Sequence, residues 1–182
     1  MARVWLVRHA PTTRSGLCYG QYDVPVEPEP AEAARRIALR WRREENENPA
    51  ELWTSPWERT QSLATELARL WQIPWHVDAR LSELCFGEWE GREYAELADH
   101  DAVRFRHWTL NYEREAPPQG ESVLALRARV AAWLGERSSG TATVLAVTHA
   151  GVIRTARALI GGVPYSSVVG EVVPHLRLER VL

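Results

Sequence analysis

The sequence predicts an α/β domain, a three-layer sandwich in which a mainly parallel central sheet carries helices on both faces. Short apolar runs alternate with amphipathic stretches along most of the chain, which is the pattern of successive strand–helix units. The 182 residues fit one ordinary domain, and no repeat or low-complexity tract divides them. A hydrophobic content of 45% against 25% charged residues is typical of a globular chain. We therefore treat residues 1–182 as a single domain.

The first part of the chain is predicted to be a strand, a long loop and a helix. Residues 3–7 form the short apolar run of a buried strand. The loop that follows contains several Pro, Thr and Gly residues and extends to Pro30, and loops of this length are often functional. Pro30 suits the first turn of a helix. We expect that helix to span residues 31–47, with Ile37 and Trp41 on one face.

Two further short strands are predicted on either side of a second helix. Residues 51–54 are the first of these strands, and residues 75–77 are the second. The dipeptide Ser55-Pro56 predicts the start of the intervening helix, because serine is a favoured N-cap and proline suits the first turn. This helix is expected to reach about Trp71.

The middle of the chain is predicted to contain a loop and two helices. Residues 81–92 contain glycines and read as loop, and residues 94–110 are predicted to form one surface helix. The Pro- and Gly-containing run 116–120 ends that part of the chain. Residues 121–137 carry apolar side chains at helical spacing and predict the next helix.

The last part of the chain is predicted to add a buried strand, a helix and an edge strand. Residues 144–148 are apolar and predict the strand. A helix over residues 151–160 follows, and Gly161-Gly162 ends it. Residues 175–179 alternate apolar and polar side chains as an edge strand does.

Two arginines, two histidines and one glutamate follow the four apolar strands. Arg8 and His9 come directly after the first strand, and Arg59 lies in the first turn of the helix after the second. Glu83 follows the third strand and His149 the fourth. The carboxyl ends of parallel strands meet at one edge of a sheet, where α/β proteins bind ligands. We therefore expect these five side chains to share one site.

The five side chains form a set that suits phosphoryl transfer. Two arginines can clamp a phosphate through paired hydrogen bonds. A histidine can attack phosphorus and carry the group as phosphohistidine, while a second histidine stabilises charge on the transferring oxygens. A carboxylic acid can protonate the leaving alcohol and then activate water. The set supplies the positioning and the neutralisation of charge that this reaction needs.

Four segments of the chain resemble the histidine phosphatase superfamily, which includes the cofactor-dependent phosphoglycerate mutases. They occur in the superfamily's order and read Leu-Val-Arg-His-Ala-Pro-Thr at 6–12, Ser-Pro-Trp-Glu-Arg-Thr at 55–60, Leu-Ser-Glu-Leu-Cys-Phe-Gly-Glu-Trp-Glu-Gly at 81–91 and Val-Thr-His-Ala-Gly at 147–151. One departure is Ala10, where the superfamily more often has Gly, and we expect only a local change in backbone there.

The resemblance implies a role for each matching residue. His9 would be the phosphorylated nucleophile and Glu83 the proton donor. Arg8, Arg59 and His149 would bind the phosphoryl group, with His149 also counted among the catalytic residues. Members of the superfamily need no metal, and the resemblance implies no cofactor.

A narrower resemblance suggests a substrate. The loop 16–25 and the segment 118–122 look like those of the α-ribazole phosphatases of cobalamin synthesis, although this chain has Gln119 where the second segment usually has glycine. Enzymes of that family remove the 5′-phosphate from α-ribazole phosphate or from a late cobalamin precursor. The resemblance suggests four further substrate-binding candidates, Thr12, Gly20, Gln21 and Ser122, of which Ser122 can equally be a helix cap.

Other functions stay open at this point. A broad-specificity histidine phosphatase, or a mutase-like enzyme acting on another small phosphomonoester, would use the same residues. Two histidines and a glutamate are also a ligand set for zinc, although Arg8 beside His9 would repel a cation. A phosphate-binding protein without turnover is the third class. His175 lies outside every motif and is interpreted as a surface or core residue, and Glu88 and Glu90 as solvated loop charges.

Composition and charge exclude several partners and suggest a compartment. The net charge of −2 argues against a nucleic-acid partner, which needs a basic field. No apolar run approaches the roughly 20 residues that span a bilayer, so we expect no membrane partner, and no leader pattern is seen, which favours the cytoplasm. Neither Cys18 nor Cys85 is followed by the arginine that a cysteine phosphatase loop requires. A homodimer is left open.

Overall fold

The computed structural model describes residues 2–182, and in this range it confirms the mainly parallel sheet. The sheet has five strands in the order β3-β2-β4-β1-β5. All neighbours pair in parallel except β5, which runs antiparallel to β1 at the edge. The strands are β1 Arg3–Arg8, β2 Glu51–Thr54, β3 Trp75–Val77, β4 Thr143–Thr148 and β5 Leu178–Arg180.

Six α-helices occur in the described part of the chain. They are α1 Pro30–Glu44, α2 Glu58–Trp71, α3 Tyr94–His100, α4 Ala102–Asn111, α5 Val123–Ser138 and α6 Ala150–Gly161. The first strand shows why two layers form. Trp5 and Val7 point to a core shared with α1 and α2, whereas Val4 and Leu6 point to a core shared with α5 and α6. This alternation is the period of a strand, and it confirms helices on both faces.

Two predicted helix boundaries are wrong at the end of α1 and within residues 94–110. The first helix ends at Glu44 rather than at residue 47, because Glu45 is extended and buried, where it accepts a hydrogen bond from Trp5 Nε1 at 2.9 Å. Residues 94–110 form two helices that break at Asp101. The Asp101 carboxylate accepts from Trp89 Nε1 at 2.8 Å and so ties the break to the neighbouring loop.

The loop after β1 is fixed against the loop after β3. Cys18 N donates to Arg92 O at 2.8 Å, and Gly91 N donates back to Cys18 O at 2.7 Å. Beneath them, Cys18 packs with Trp89 and Leu97 in a small apolar cluster. The long loop is therefore an ordered wall beside the carboxyl ends of the strands.

The centre of the sheet provides a crevice for a ligand. β1 and β4 are neighbours, and the helices that follow them, α1 and α6, lie on opposite faces of the sheet. A chain that departs to opposite sides from adjacent parallel strands leaves a gap at their carboxyl ends. His9 and His149 stand at this gap.

None of the helices described within residues 2–182 has both the length and the apolar character that crossing a membrane requires.

Candidate active site

The five side chains predicted to meet do meet in one cavity of about 470 Å³. They come from the end of β1, the first turn of α2, the loop after β3 and the end of β4. His9, Arg59 and His149 are each at most 2% exposed. The residues from the prediction that line the cavity are Arg8, His9, Arg59, Glu83, His149 and Thr12.

His9 is arranged as a neutral imidazole with one free ring nitrogen. Its Nδ1 lies 2.7 Å from the carbonyl oxygen of Ala10, which can only accept a hydrogen bond, so Nδ1 carries the proton. Burial lowers the pKa of His9 well below its ordinary value, and the positive charges of Arg59 and Arg8 lower it further. The neutral ring therefore keeps its lone pair on Nε2, the atom that can attack phosphorus.

His149 stands beside His9 with its ring edge to face. The two ring centroids are 5.2 Å apart. His149 Nε2 lies 2.7 Å from Ser55 Oγ, whereas its buried Nδ1 has no hydrogen-bond partner within residues 2–182. Burial, followed by the charge of Arg59, lowers the pKa of His149 well below its ordinary value. A buried nitrogen without a protein partner at this position indicates a place where a ligand can make the missing contact.

Ser55 does not cap α2, contrary to the prediction. The helix begins at Glu58, with an extended Trp57 at the N-cap position that offers no side-chain cap. The carboxylate of Asp23, from the loop after β1, accepts from Glu58 N at 2.9 Å instead. Ser55 is fully buried and turns toward His149.

Arg59 is held by the same loop. Its Nη1 donates to Asp23 Oδ1 at 2.9 Å and to Tyr22 O at 3.1 Å, and its Nη2 donates to Gly20 O. The buried Nε has no partner among the described residues. These contacts fix the guanidinium plane before any ligand binds, which is the preorganisation that anion binding requires.

Arg8 is held by a different segment of the chain. Its Nη1 donates to the carbonyl oxygen of Val173 at 2.9 Å. Burial lowers the pKa of Arg8, an effect that the nearby Glu83 carboxylate opposes. The guanidinium stays charged at neutral pH, because arginine is effectively always protonated in proteins. The cavity therefore contains two fixed, charged arginines together with the histidine pair.

Glu83 is positioned by two backbone amides. Leu84 N donates to Oε1 at 2.9 Å, and Gly151 N, at the start of α6, donates to Oε2 at 2.9 Å. A Cβ on Gly151 would lie 2.1 Å from Glu83 Oε1, so only glycine leaves room for the carboxylate. The carboxyl group can thus reach a leaving oxygen from a fixed place.

The weaker substrate-binding candidates divide into two groups. Thr12 lines the cavity, where its Oγ1 donates to Arg14 O at 2.9 Å. Ser122 caps α5, accepting from Ala125 N at 3.3 Å, and does not line the cavity.

Gly20 and Gln21 lie behind the wall of the cavity, and this position explains the role of Glu90. The interpretation of Glu90 as a solvated charge is wrong, because its carboxylate accepts three backbone hydrogen bonds. Its Oε2 accepts from Gly20 N at 2.9 Å, and its Oε1 accepts from Gln21 N and Phe86 N, each at 2.8 Å. Gln21 Nε2 donates to Glu83 O at 3.2 Å. These residues brace the two loops and do not line the cavity. Glu88, by contrast, is exposed, as predicted.

His175 is a cavity residue that the sequence interpretation missed. Its ring centroid is 5.4 Å from that of His9, and its Nδ1 donates to His9 O at 2.7 Å. Burial lowers the pKa of His175. No motif surrounds it, and only the return of the chain to the edge of β1 brings it here. Aromatic and cationic side chains outside the predicted set also line the cavity: Arg14, Tyr19, Phe86, Tyr94, Arg154 and Tyr165.

No group of three or more His, Cys, Asp or Glu side chains within residues 2–182 is placed to hold a metal ion.

Known proteins similar to this chain include phosphatases of two named kinds. An adenosylcobalamin/alpha-ribazole phosphatase of Salmonella typhimurium is 26% identical, over 98% of this chain and 86% of the relative. A putative phosphoserine phosphatase 2 of Hydrogenobacter thermophilus is 27% identical, over 90% of this chain and 80% of the relative.

Solved structures show the same fold. The crystal structure of the alpha-ribazole phosphatase from Shigella flexneri matches with a TM-score of 0.85 at 27% identity, over 98% of this chain and 89% of that one. A sequence model of the histidine phosphatase superfamily (branch 1) matches residues 4–175. The chain is therefore a phosphatase that belongs to the histidine phosphatase superfamily.

Proposed function

We propose that this phosphatase acts through a phosphohistidine at His9 and that its substrate is α-ribazole 5′-phosphate. The observation that carries the first part is the neutral His9 ring, which has its proton on Nδ1 and its free Nε2 in a cavity with two arginines. A metal-independent route suits this site, since the positive charges that a transferring phosphoryl group needs come from Arg8 and Arg59.

The reaction proceeds in two steps. His9 Nε2 attacks phosphorus, the bond from phosphorus to the ester oxygen breaks, and Glu83 gives its proton to the departing alcohol. Glu83 then takes a proton from water, whose oxygen attacks the phosphohistidine. The phosphorus–nitrogen bond breaks, inorganic phosphate leaves, and His9 is restored. Arg8, Arg59 and His149 hold the phosphoryl oxygens throughout.

The lining of the cavity supports a substrate with an aromatic base. Tyr19, Phe86, Tyr94 and Tyr165 line it and can pack against a planar ring. The relatives named alpha-ribazole phosphatases, at 26% and 27% identity, support the same substrate. We place the reaction in the cytoplasm, as the sequence predicts.

A second candidate substrate class follows from positive charges in the same lining. Arg14 and Arg154 also line the cavity, and either can bind a carboxylate on the substrate. One relative is named a putative phosphoserine phosphatase, whose substrate carries such a group. A phosphorylated amino acid or hydroxy acid is therefore the alternative.

The test is phosphate release measured in EDTA from α-ribazole 5′-phosphate, phosphoserine, 3-phosphoglycerate, a sugar phosphate and a nucleoside monophosphate. We expect kcat/KM to be highest for α-ribazole 5′-phosphate and His9→Ala to abolish release. A preference for phosphoserine or 3-phosphoglycerate would overturn the substrate and favour the alternative. Loss of activity in EDTA that zinc restores would overturn the metal-independent mechanism. Binding of phosphomonoesters without turnover would overturn the proposal that the protein hydrolyses them.

A further inference from the structure

Ser55, Thr60 and His149 form a buried chain of hydrogen bonds behind the cavity. Ser55 and Thr60 are fully buried, and His149 is 1% exposed. His149 Nε2 lies 2.7 Å from Ser55 Oγ, and Ser55 Oγ lies 2.7 Å from Thr60 Oγ1. Neither hydroxyl belongs to the phosphohistidine chemistry described above, so the chain needs its own explanation.

Hydrogen-bond counting fixes the direction of this chain. Thr60 Oγ1 lies 2.7 Å from Trp57 O and 3.1 Å from Ser55 O, and both carbonyl oxygens can only accept. The single hydroxyl proton of Thr60 therefore goes to a carbonyl, and Thr60 Oγ1 is left to accept from Ser55. Once the proton of Ser55 is used in this way, Ser55 Oγ can only accept from His149 Nε2.

This direction determines the state of the imidazole. A neutral His149 has its proton on Nε2 and a bare lone pair on Nδ1, the buried atom that has no partner within residues 2–182. A bare lone pair repels a phosphoryl oxygen. We propose that Ser55 and Thr60 fix the proton of neutral His149 on Nε2, so that His149 binds a phosphoryl group only after taking up a second proton at Nδ1.

The charges around His149 make this protonation depend on the ligand. Arg8 faces it from the end of β1, Arg59 from α2 and Arg129 from α5, and these three positive charges disfavour an imidazolium when no anion is bound. His9, also at the end of β1, is the neutral neighbour described above. The carboxylate of Glu83, in the same cavity, accepts from Gly151 N. A phosphoryl dianion adds two negative charges among these groups and makes the imidazolium favourable. The proposal rests on the proposed phosphate-binding role of His149.

Tungstate is the probe, because it is a tetrahedral dianion that does not titrate near neutral pH. Calorimetry in buffers of different ionisation enthalpy measures protons taken up on binding. We expect the native protein to take up about one proton per tungstate. In the pH range where this uptake occurs, Kd should rise about tenfold for each unit by which the pH is raised. In Thr60→Val, Ser55 is free to donate to Nε2, so Nδ1 carries the proton, and we expect uptake to disappear. Thr60→Ser should restore it.

Nitrogen-15 spectra of the histidine rings give a direct reading in the free protein. The His149 signals, assigned with His149→Gln, should show the proton on Nε2 in the native protein and on Nδ1 in Thr60→Val. Thr155→Val is the matched control, since Thr155 is also fully buried and donates to a helix carbonyl, Gly151 O, at 2.8 Å, without contacting a histidine. It should leave both measurements unchanged.

The possible outcomes separate this proposal from the proposed function. Two results would overturn the role of Ser55 and Thr60 while leaving the phosphatase site intact. The first is binding without proton uptake in the native protein. The second is uptake that persists in Thr60→Val, as it would if His9 were the residue protonated. Absence of tungstate binding, or binding that survives Arg8→Gln, overturns the assignment of the phosphate site itself.

Discussion

Asp23 Oδ1 lies 2.9 Å from Arg59 Nη1, and the other oxygen of the same carboxylate accepts from Glu58 N at 2.9 Å. The pair extends from the surface to the interior, since the side chain of Asp23 is 37% exposed and that of Arg59 is 1% exposed. One residue of the loop after β1 thus fixes both the start of α2 and the guanidinium that α2 brings to the cavity. The loop, helix and anion site are coupled through this carboxylate.

Replacing Asp23 should therefore weaken both the helix end and phosphate binding. We expect Asp23→Ala to lower kcat/KM for p-nitrophenyl phosphate about tenfold or more, because an Arg–carboxylate hydrogen bond that orients a binding group is lost. Loss of the helix cap should lower the free energy of unfolding by about 1 kcal/mol in urea titrations. Asp23→Asn keeps an oxygen at this position and should recover part of both.

The matched control for Asp23 is Glu66 on the same helix. Glu66 pairs with Arg69 on the outer surface of α2, where Arg69 is 65% exposed. Such exposed pairs contribute little to stability. Glu66→Ala should therefore leave kcat/KM unchanged, and equal losses in the two variants would argue against a specific role for Asp23.

The assignment of Glu83 as the proton donor predicts a dependence on the leaving group. An alcohol needs a proton as it departs, whereas nitrophenolate departs without one. We expect Glu83→Gln to lower the rate for alkyl phosphates about a hundredfold or more, with a much smaller effect on p-nitrophenyl phosphate. His9→Ala should abolish turnover of both. Equal slowing of both substrates by Glu83→Gln would exclude Glu83 as the general acid.

Gly151 offers a second way to disturb the same carboxylate without removing it. A Cβ at this position would lie 2.1 Å from Glu83 Oε1, so Gly151→Ala must displace the carboxylate from its two amide donors. We expect this variant to reproduce the leaving-group dependence of Glu83→Gln in the same rate measurements. Gly135→Ala in α5 is the control, because a Cβ there meets nothing within 4 Å. If Gly151→Ala hydrolysed alkyl phosphates at the native rate, proton donation by Glu83 would not depend on its hydrogen bonds to Leu84 N and Gly151 N.

The strands and the five central site residues could be predicted because they follow a local rule. Arg8-His9 and His149 each follow a short apolar run. Parallel strands end at one edge of a sheet, and this rule is enough to predict that these residues lie together. The order of the motifs along the chain then identified the superfamily. Predicting that these residues meet does not require the exact packing of distant segments, although the orientation of Arg59 and Glu83 depends on it.

The supporting residues could not be predicted, since their roles depend on contacts between distant segments. His175 reaches His9 only because β5 returns beside β1, and Glu90 becomes a structural acceptor only because the loop containing Gly20 folds over it. Serine is a residue type that often caps helices, but the helix after Ser55 is capped by the carboxylate of Asp23, 32 residues earlier in the chain. Local sequence signals give no information on such competition.

The buried histidines predict how stability depends on pH. The pKa values of His9 and His149 are both well below the ordinary value of histidine, mainly because of burial. The unfolded chain therefore binds protons below about pH 6.5 that the folded chain does not accept. We expect the urea midpoint to be level above about pH 7 and to fall as the pH is lowered toward about 5.

Carboxylates change stability in a lower pH range than histidines do, so the two contributions to the pH dependence of stability can be separated. The pKa of Glu136, for example, is lowered to about 2, chiefly by hydrogen bonds from Arg80, so its contribution is present above its unfolded pKa and is lost only in stronger acid. Between about pH 7 and pH 5 the slope should therefore come mainly from histidine. His149→Gln should make that slope shallower, whereas His107→Gln, at an exposed position on α4, should not change it. An unchanged slope in His149→Gln would mean that His149 is not held neutral in the folded protein.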